Sequence, residues 1–330
     1  MSNKVSLSTN DAKPFEDESP LVFSDKSQGK TYTKLLKQLN HASVTKHYDA
    51  YTDIPWDEED FQIRDTDPRW ELPEYDSLGG TSWYRSQPQE IRIKLALDRT
   101  VERVKTGVIF ESILKRGMLE FAATLPNRTL EFRYAIHECI EEAQHSLMFQ
   151  EFVNRSGYDP KGLSGATSII ARYIIMCGKY LPELFFIFAL GGEEPIDYEQ
   201  QRQLKQQKTL HPLMKRMVQI HITEEGRHIC FAKAYLRERV PELSHIKMFN
   251  LRIMAPVILG NMGKLFLHPP KQIIEKYRIP KEVIEEAYTR NPEQKRDLQR
   301  SMSSIIALCR ELGILNKSTE PLWRKYSLIP

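Results

Sequence analysis

Two Glu-x-x-His units carry the clearest chemical signal in this 330-residue chain. They run from Glu142 to His145 and from Glu225 to His228. Positions i and i+3 of a helix lie about 60° apart, so the carboxylate and imidazole of each unit project from one face. A dinuclear carboxylate site in a four-helix bundle takes one such unit from each of two helices and a single Glu from each of the other two. Mixed carboxylate and imidazole donors suit iron better than calcium or magnesium.

A third such unit, Glu242 to His245, follows Pro241 at a break between helices, where side chains face solvent. We interpret it as a chance match. For the two internal units, the alternative interpretation is a buried or surface His–Glu pair that holds no metal.

The single glutamates are sought on the preceding helices. Glu111 lies in the apolar run GVIFESILKRG, where a carboxylate needs a partner such as a metal. Glu120 is the alternative on that helix, and we expect Glu102 to be solvated. Both Glu193 and Glu194 follow the run LFFIFALGG. We favour Glu194, because it precedes Glu225 by the same 31 positions that separate Glu111 from Glu142.

The choice of Glu194 requires the helix to continue past the Gly191-Gly192 pair and Pro195, with a kink or a π-bulge. Alternatively, the helix ends at these glycines and both glutamates are solvated. His221 lies four residues before Glu225 on the same stripe, which favours a third imidazole ligand over a structural histidine. Glu138 shares the inner face of its helix and is predicted to support the ligands.

A second glutamate precedes each of the two Glu-x-x-His units. Glu141 and Glu224 each precede a proposed ligand, about 100° away around the helix. We expect them to be solvated or salt-bridged.

Long helices are needed to position these side chains, and only 15 glycines interrupt the chain. We predict an all-α protein with a ferritin-like four-helix bundle core over about 90–270 and additional flanking helices. Residues 1–30 are predicted to form a flexible N-terminal arm and residues 31–330 a single helical domain. The predicted helices cover about 88–125, with a possible break near Asp98, and 129–154, 164–180, 182–209, 212–239 and 244–267. Residues 50–85 are expected to lie irregularly over the core.

Composition excludes several classes of protein. A net charge of +3 without a basic block argues against nucleic-acid binding. Four scattered cysteines indicate a reducing compartment rather than a disulfide or zinc framework. Neither a signal peptide nor an uninterrupted apolar span is present, so we expect a cytoplasmic protein without a membrane partner.

In these residues and their order, the chain resembles the p-aminobenzoate N-oxygenase (AurF-type) family of di-iron enzymes. The resemblance covers roughly residues 90–270 and rests on FESILKRG, HECIEEAQHSLMF, GGEEP and HITEEGRH. It implies seven ligands, with Glu142 and Glu225 bridging and with His221, Glu194 and His228 around one iron. The seven implied ligands are Glu111, Glu142, His145, Glu194, His221, Glu225 and His228.

The resemblance further implies oxidation of an arylamine nitrogen through hydroxylamine towards nitro. The cofactors are then two iron ions, with dioxygen as co-substrate. The chain contains no dinucleotide-binding or P-loop signature, so electrons must come from an external donor such as a reductase or ferredoxin. We also expect a homodimer, the commonest oligomer of soluble proteins.

The residues that contact the substrate are harder to predict from the resemblance than the metal ligands. Where the family places basic and aromatic residues before its first glutamate, this chain has Arg103, Thr106 and Gly107. We therefore predict Arg103 and Phe149 as substrate contacts and leave the substrate open between another arylamine, a carrier-bound amine and an aliphatic C–H compound. Two other hypotheses remain: a di-iron oxygenase that hydroxylates or desaturates carbon, and a metal-free or storage-type bundle.

Overall fold

The computed structural model of the protein describes residues 30–160, 165–207 and 209–330. Within these residues the chain is all-α, and no helix there is long and apolar enough to cross a membrane. The helices are α1 Lys30–Thr45, α2 Ser82–Ser86, α3 Gln89–Ala122, α4 Leu130–Arg155, α5 Gly165–Tyr180, α6 Pro182–Gln206, α7 Pro212–Arg239, α8 His245–Leu267, α9 Lys271–Lys276, α10 Lys281–Ile284, α11 Pro292–Ser301, α12 Ser303–Glu311 and α13 Glu320–Lys325. The predicted arm over residues 1–30 lies outside the described residues except for Lys30, which begins α1.

Helices α3, α4, α6 and α7 form the central four-helix arrangement, in which α3 packs on α4 and α6 packs on α7. Flanking helices cover this core: α1 lies on α4 and α7, α5 on α3 and α6, and α8 on α6. The predicted all-α, ferritin-like core with additional helices is confirmed. The possible break near Asp98 does not occur, because α3 runs without interruption through this residue.

The segment between α1 and α2 lies over one side of the bundle, as expected for the irregular stretch around residues 50–85. It contains two short 3-10 turns, and its Trp56 and Trp70 are buried. Trp70 stacks on His211 with ring centroids 4.2 Å apart and contacts Phe152 edge to face. Aromatic burial therefore fixes this strap against α4 and the start of α7.

Helix α6 continues through the glycine pair and through Pro195. Both glycines are buried at helix contacts, where a Cβ on Gly191 would meet Leu259 and a Cβ on Gly192 would overlap the Phe110 ring. These glycines therefore let α6 approach α8 and α3 closely instead of ending the helix.

Gly192→Ala is expected to destabilise the protein by about 1–3 kcal/mol, because the added methyl group forces the buried Phe110 ring to move. The matched control is Gly226→Ala on α7, where a Cβ meets nothing within 4 Å and alanine favours the helix by about 0.5–1 kcal/mol. Urea unfolding of both variants measures the difference. Equal stability of the two variants would contradict the close approach of α6 and α3.

Candidate metal centre

Seven buried side chains converge from the four central helices. Each of them is no more than 3% exposed. Helix α3 provides Glu111, α4 provides Glu142 and His145, α6 provides Glu193, and α7 provides His221, Glu225 and His228. The centre of the bundle is thus lined with carboxylates and imidazoles.

The ligand atoms fall into two groups, within each of which they lie no more than 4.8 Å apart. The first group is Glu111, His145, His221 and Glu225, and the second is Glu142, Glu193, Glu225 and His228. Because Glu225 belongs to both groups, the arrangement fits two neighbouring cations that share one carboxylate.

Glu142 and Glu225 lie between the two histidines of the Glu-x-x-His units. The Nδ1 atom of His145 is 3.4 Å from an oxygen of each carboxylate. The Nδ1 atom of His228 is 3.1 Å from Glu142 and 3.5 Å from Glu225. This placement suits both carboxylates for the bridging positions that the family resemblance implies.

Glu194 does not lie in this cluster, which corrects the choice made from spacing. Its carboxylate pairs with Lys233 at 2.7 Å and accepts a hydrogen bond from the backbone N–H of Ile305 at 2.8 Å. Since α6 remains helical through Pro195, the preceding Glu193 is rotated by about 100° and faces the other ligands. The equal spacing of 31 positions was therefore misleading by one residue.

His221 also differs from its expected place. The resemblance puts it around one iron with His228, whereas the structure puts these two histidines in different groups. Its Nε2 atom lies 3.5 Å from both Glu111 and Glu225. One group thus contains two imidazoles and the other contains one.

The buried carboxylates of the cluster favour the binding of cations. Burial and neighbouring carboxylates raise the pKa values of Glu111 and Glu193, so these groups favour the neutral form when no cation is present. Both oxygens of Glu142 and of Glu225 lack a well-aligned hydrogen-bond donor among the described residues. Four buried carboxylates with unused lone pairs fit a pair of iron ions, which would compensate their charge.

Two further carboxylates bind the histidines on the side of each ring that faces away from the cluster. Each of these carboxylates belongs to the other helix of the pair α4 and α7. His145 of α4 donates its Nε2–H to Glu224 of α7 at 2.9 Å, and His228 of α7 donates to Glu141 of α4 at 2.9 Å. Arg227 lies 3.0 Å from Glu141 and 3.5 Å from Glu224. These contacts leave each Nδ1 atom facing the cluster as a donor to metal.

The expectation that Glu141 and Glu224 are solvated is wrong, although their pairing with Arg227 matches the salt-bridged alternative. Both are buried, because α1 and the chain that follows it cover this side of the bundle. The backbone N–H of Tyr48, for example, donates to Glu224 at 3.3 Å. The available signal was the doubled glutamate that begins each Glu-Glu-x-x-His unit.

Glu224→Gln and Glu141→Gln are each expected to weaken metal binding by about 10- to 100-fold, because an amide fixes the imidazole less firmly than a carboxylate. Glu120→Gln, on the half-buried rival of Glu111, is the matched control and should bind metal as the wild type does. Anaerobic titration with Fe(II) gives the affinities. Wild-type affinity in both variants would rule out a role for these carboxylates in holding the histidines.

A cavity of about 260 Å³ reaches the cluster from one side, where Glu111 and His221 belong to its wall. Both predicted substrate residues, Arg103 and Phe149, also line it. The ring centroid of Phe149 lies 5.2 Å from that of His221. For comparison, a cavity of about 150 Å³ holds benzene, so this one has room for a substituted aromatic ring.

Arg103 has unused hydrogen-bonding capacity in this cavity. Its Nε atom is buried and has no hydrogen-bond partner among the described residues. Burial and the neighbouring Arg99 lower the pKa of Arg103, and the carboxylates of Asp76 and Glu199 offset this only in part. An anionic group in the cavity would compensate this charge.

Burial of the other glutamates and of His245 agrees with the prediction at some positions and differs from it at Glu102. Glu138 is buried beside the second group, where burial raises its pKa to about 8. Glu102 is buried rather than solvated and accepts a hydrogen bond from Tyr158 at 2.9 Å. Glu242 and His245 are exposed at the break before α8, in agreement with a chance match.

Fold and cluster together define a helical-bundle protein with a candidate dinuclear metal centre. The sequence model of the family "P-aminobenzoate N-oxygenase AurF" matches residues 29–313, and the chain belongs to this family, which implies a di-iron centre. "Uncharacterized protein Mb0909" of Mycobacterium bovis and "Uncharacterized protein Rv0885" of Mycobacterium tuberculosis are each 38% identical to it over 293 residues. These alignments cover 89% of this chain and 86% of each relative. No solved structure matches the chain significantly.

Proposed function

We propose that the protein is a dioxygen-dependent di-iron oxygenase that oxidises an amine nitrogen, with arylamines as its substrate class. The cavity carries this proposal, because its wall includes Glu111 and His221 from the first ligand group. A substrate held there lies beside the candidate metal centre. Family membership supports nitrogen oxidation as the reaction.

The seven clustered side chains would hold two irons, with Glu142 and Glu225 between them. When bound, the irons supply the electrons and the Lewis acidity that activate dioxygen. The protein's own task is to exclude water from this reaction. The burial of all seven side chains favours this, and a substrate that fills the cavity would complete it.

The cavity residues would orient the substrate. Phe149 offers an aromatic ring beside His221, and Arg103 offers a guanidinium to a substrate carboxylate. An aromatic ring fixed at its anionic end presents its amino group in a defined direction. Such orientation is how binding energy lowers the barrier to reaction.

Electrons for each turnover would come from a partner protein. The chain contains no G-x-G-x-x-G fingerprint that could hold a dinucleotide reductant. We therefore propose an external reductase or ferredoxin as the donor, and a homodimer in the cytoplasm as the working form.

The decisive test combines metal analysis with product analysis. Protein purified under reducing conditions should bind two irons per chain. After reaction with dioxygen and a panel of arylamines, mass spectrometry should detect hydroxylamine or nitro products. Fewer than two irons, or no nitrogen-oxidised product, would contradict the proposal. A hydroxylated or unsaturated carbon skeleton would instead identify a carbon oxygenase.

Arg103→Leu is expected to raise KM for p-aminobenzoate by about 10- to 100-fold, because hydrogen bonds to a charged group contribute about 1.5–3 kcal/mol. KM for aniline, which has no carboxylate, should stay unchanged. Arg116→Leu, at an exposed position of the same helix, is the control. Steady-state kinetics with both amines measures the effect, and an equal change for the two substrates would exclude carboxylate recognition by Arg103.

A further inference from the structure

The third histidine of the cluster has a partner that the ligand pattern does not include. The Nδ1 atom of His221 lies 3.0 Å from the side-chain amide oxygen of Gln200 on α6. An amide oxygen only accepts hydrogen bonds, so this short contact favours the Nδ1–H tautomer over one that donates Nε2–H to Glu111 at 3.5 Å. The lone pair of Nε2 then faces Glu111 and Glu225, each 3.5 Å away.

His221 is held differently from the other two histidines. His145 and His228 face the cluster with Nδ1 and donate Nε2–H to carboxylates. His221 faces the cluster with Nε2 and donates Nδ1–H to a neutral amide. Because a carboxylate partner increases the basicity of an imidazole more than an amide does, His221 is the weakest donor of the three.

Gln200 also borders the space where a substrate would lie. Together with His221 and Glu111 it lines the 260 Å³ cavity. Gln203, one turn further along α6, lines the same cavity, yet no hydrogen bond joins its side chain to another described residue. The chain thus offers a matched pair of glutamines, of which one contacts the histidine.

We propose that Gln200 is the positioning residue for His221, selecting the tautomer that lets Nε2 bind metal. Without an acceptor at Nδ1, the proton distributes between the two ring nitrogens and no longer leaves Nε2 free to bind metal. The proposal rests on the metal centre of the proposed function. It adds that occupancy of one of the two metal positions depends on an amide in the cavity wall.

The test compares Gln200→Leu, Gln200→Glu and Gln203→Leu by anaerobic titration with Co(II), followed by its visible absorption. Gln200→Leu should weaken one of the two sites by about 10- to 100-fold and leave the other unchanged. Gln200→Glu should restore the affinity, because a carboxylate also accepts from Nδ1–H. Gln203→Leu should match the wild type. Wild-type affinity in Gln200→Leu, or equal losses in Gln200→Leu and Gln203→Leu, would overturn the proposal.

A second measurement needs no metal. Nitrogen-15 NMR of metal-free protein labelled at histidine should find His221 of the wild type as the Nδ1–H tautomer and should show a shift towards Nε2–H in Gln200→Leu. An Nε2–H tautomer in the wild type would overturn the proposal, even if the leucine variant fails to fold. If the wild type binds no Co(II), the proposed function fails, while the NMR result still decides the role of Gln200.

Discussion

Glu225→Gln is expected to remove metal binding and at the same time to stabilise the metal-free protein. Glu225 contributes to both ligand groups, so its loss should weaken both positions by more than the roughly 10- to 100-fold typical of supporting residues. In the metal-free protein the same change removes one of four clustered carboxyl groups, of which Glu111 and Glu193 favour the neutral form. Three imidazoles lie 3.4–3.5 Å from Glu225, but none of them makes a well-aligned hydrogen bond to it, so they compensate its burial only in part. The neutral amide should therefore raise stability by about 1–3 kcal/mol.

Thermal unfolding with and without Fe(II) measures both effects. The metal-free variant should melt roughly 2–6 °C above the metal-free wild type. Metal at 100 times its Kd should stabilise the wild type by about 2.7 kcal/mol and leave Glu225→Gln unchanged. The control Glu120→Gln should follow the wild type in both conditions. A variant that is less stable without metal would indicate that Glu225 serves the fold rather than a cation.

The same substitution at the two adjacent glutamates of α6 should affect different properties: metal binding at Glu193 and stability at Glu194. Glu193→Gln is expected to cost the second group one of its four donors and so to leave about one tightly bound metal per chain. Glu194→Gln should retain two metals but should destabilise the protein by about 1–3 kcal/mol. The reason is that Lys233, whose side chain is only 17% exposed, loses its charged partner.

Metal analysis and urea unfolding of the same two preparations distinguish these outcomes. Each variant serves as the control for the other, because both make the same chemical change on neighbouring residues of one helix. If Glu194→Gln loses a metal and Glu193→Gln does not, the helical phase assigned to α6 is wrong.

Most of the fold follows from periodicity. The predicted helices agree with α3 to α8 to within a few residues, because breaks such as that before Thr129 and that at His211-Pro212 mark their ends locally. The Gly191-Gly192 pair was the ambiguous signal. Glycine marks a helix end in one setting and a close helix contact in another, and only the position of Phe110 distinguishes them.

Supporting residues were harder to predict than candidate ligands. Periodicity assigns a residue to a face of its own helix, but it does not say what covers that face. Glu141 and Glu224 are on the side that α1 covers, and Gln200 reaches His221 from a different helix. Each of these contacts joins residues far apart in the chain.

By itself, the sequence determined the helical class and which residue types could bind metal, because helical periodicity and i to i+3 spacing are local properties. The same local properties place both Glu-x-x-His units and His221 on the inner faces of their helices. The tertiary structure alone decided that Glu193 rather than Glu194 faces the cluster. It also decided that Glu141 and Glu224 each bind a histidine of the other helix. The physical reason is that these choices depend on the rotation and packing of whole helices, to which distant side chains such as Lys233 and Phe110 contribute.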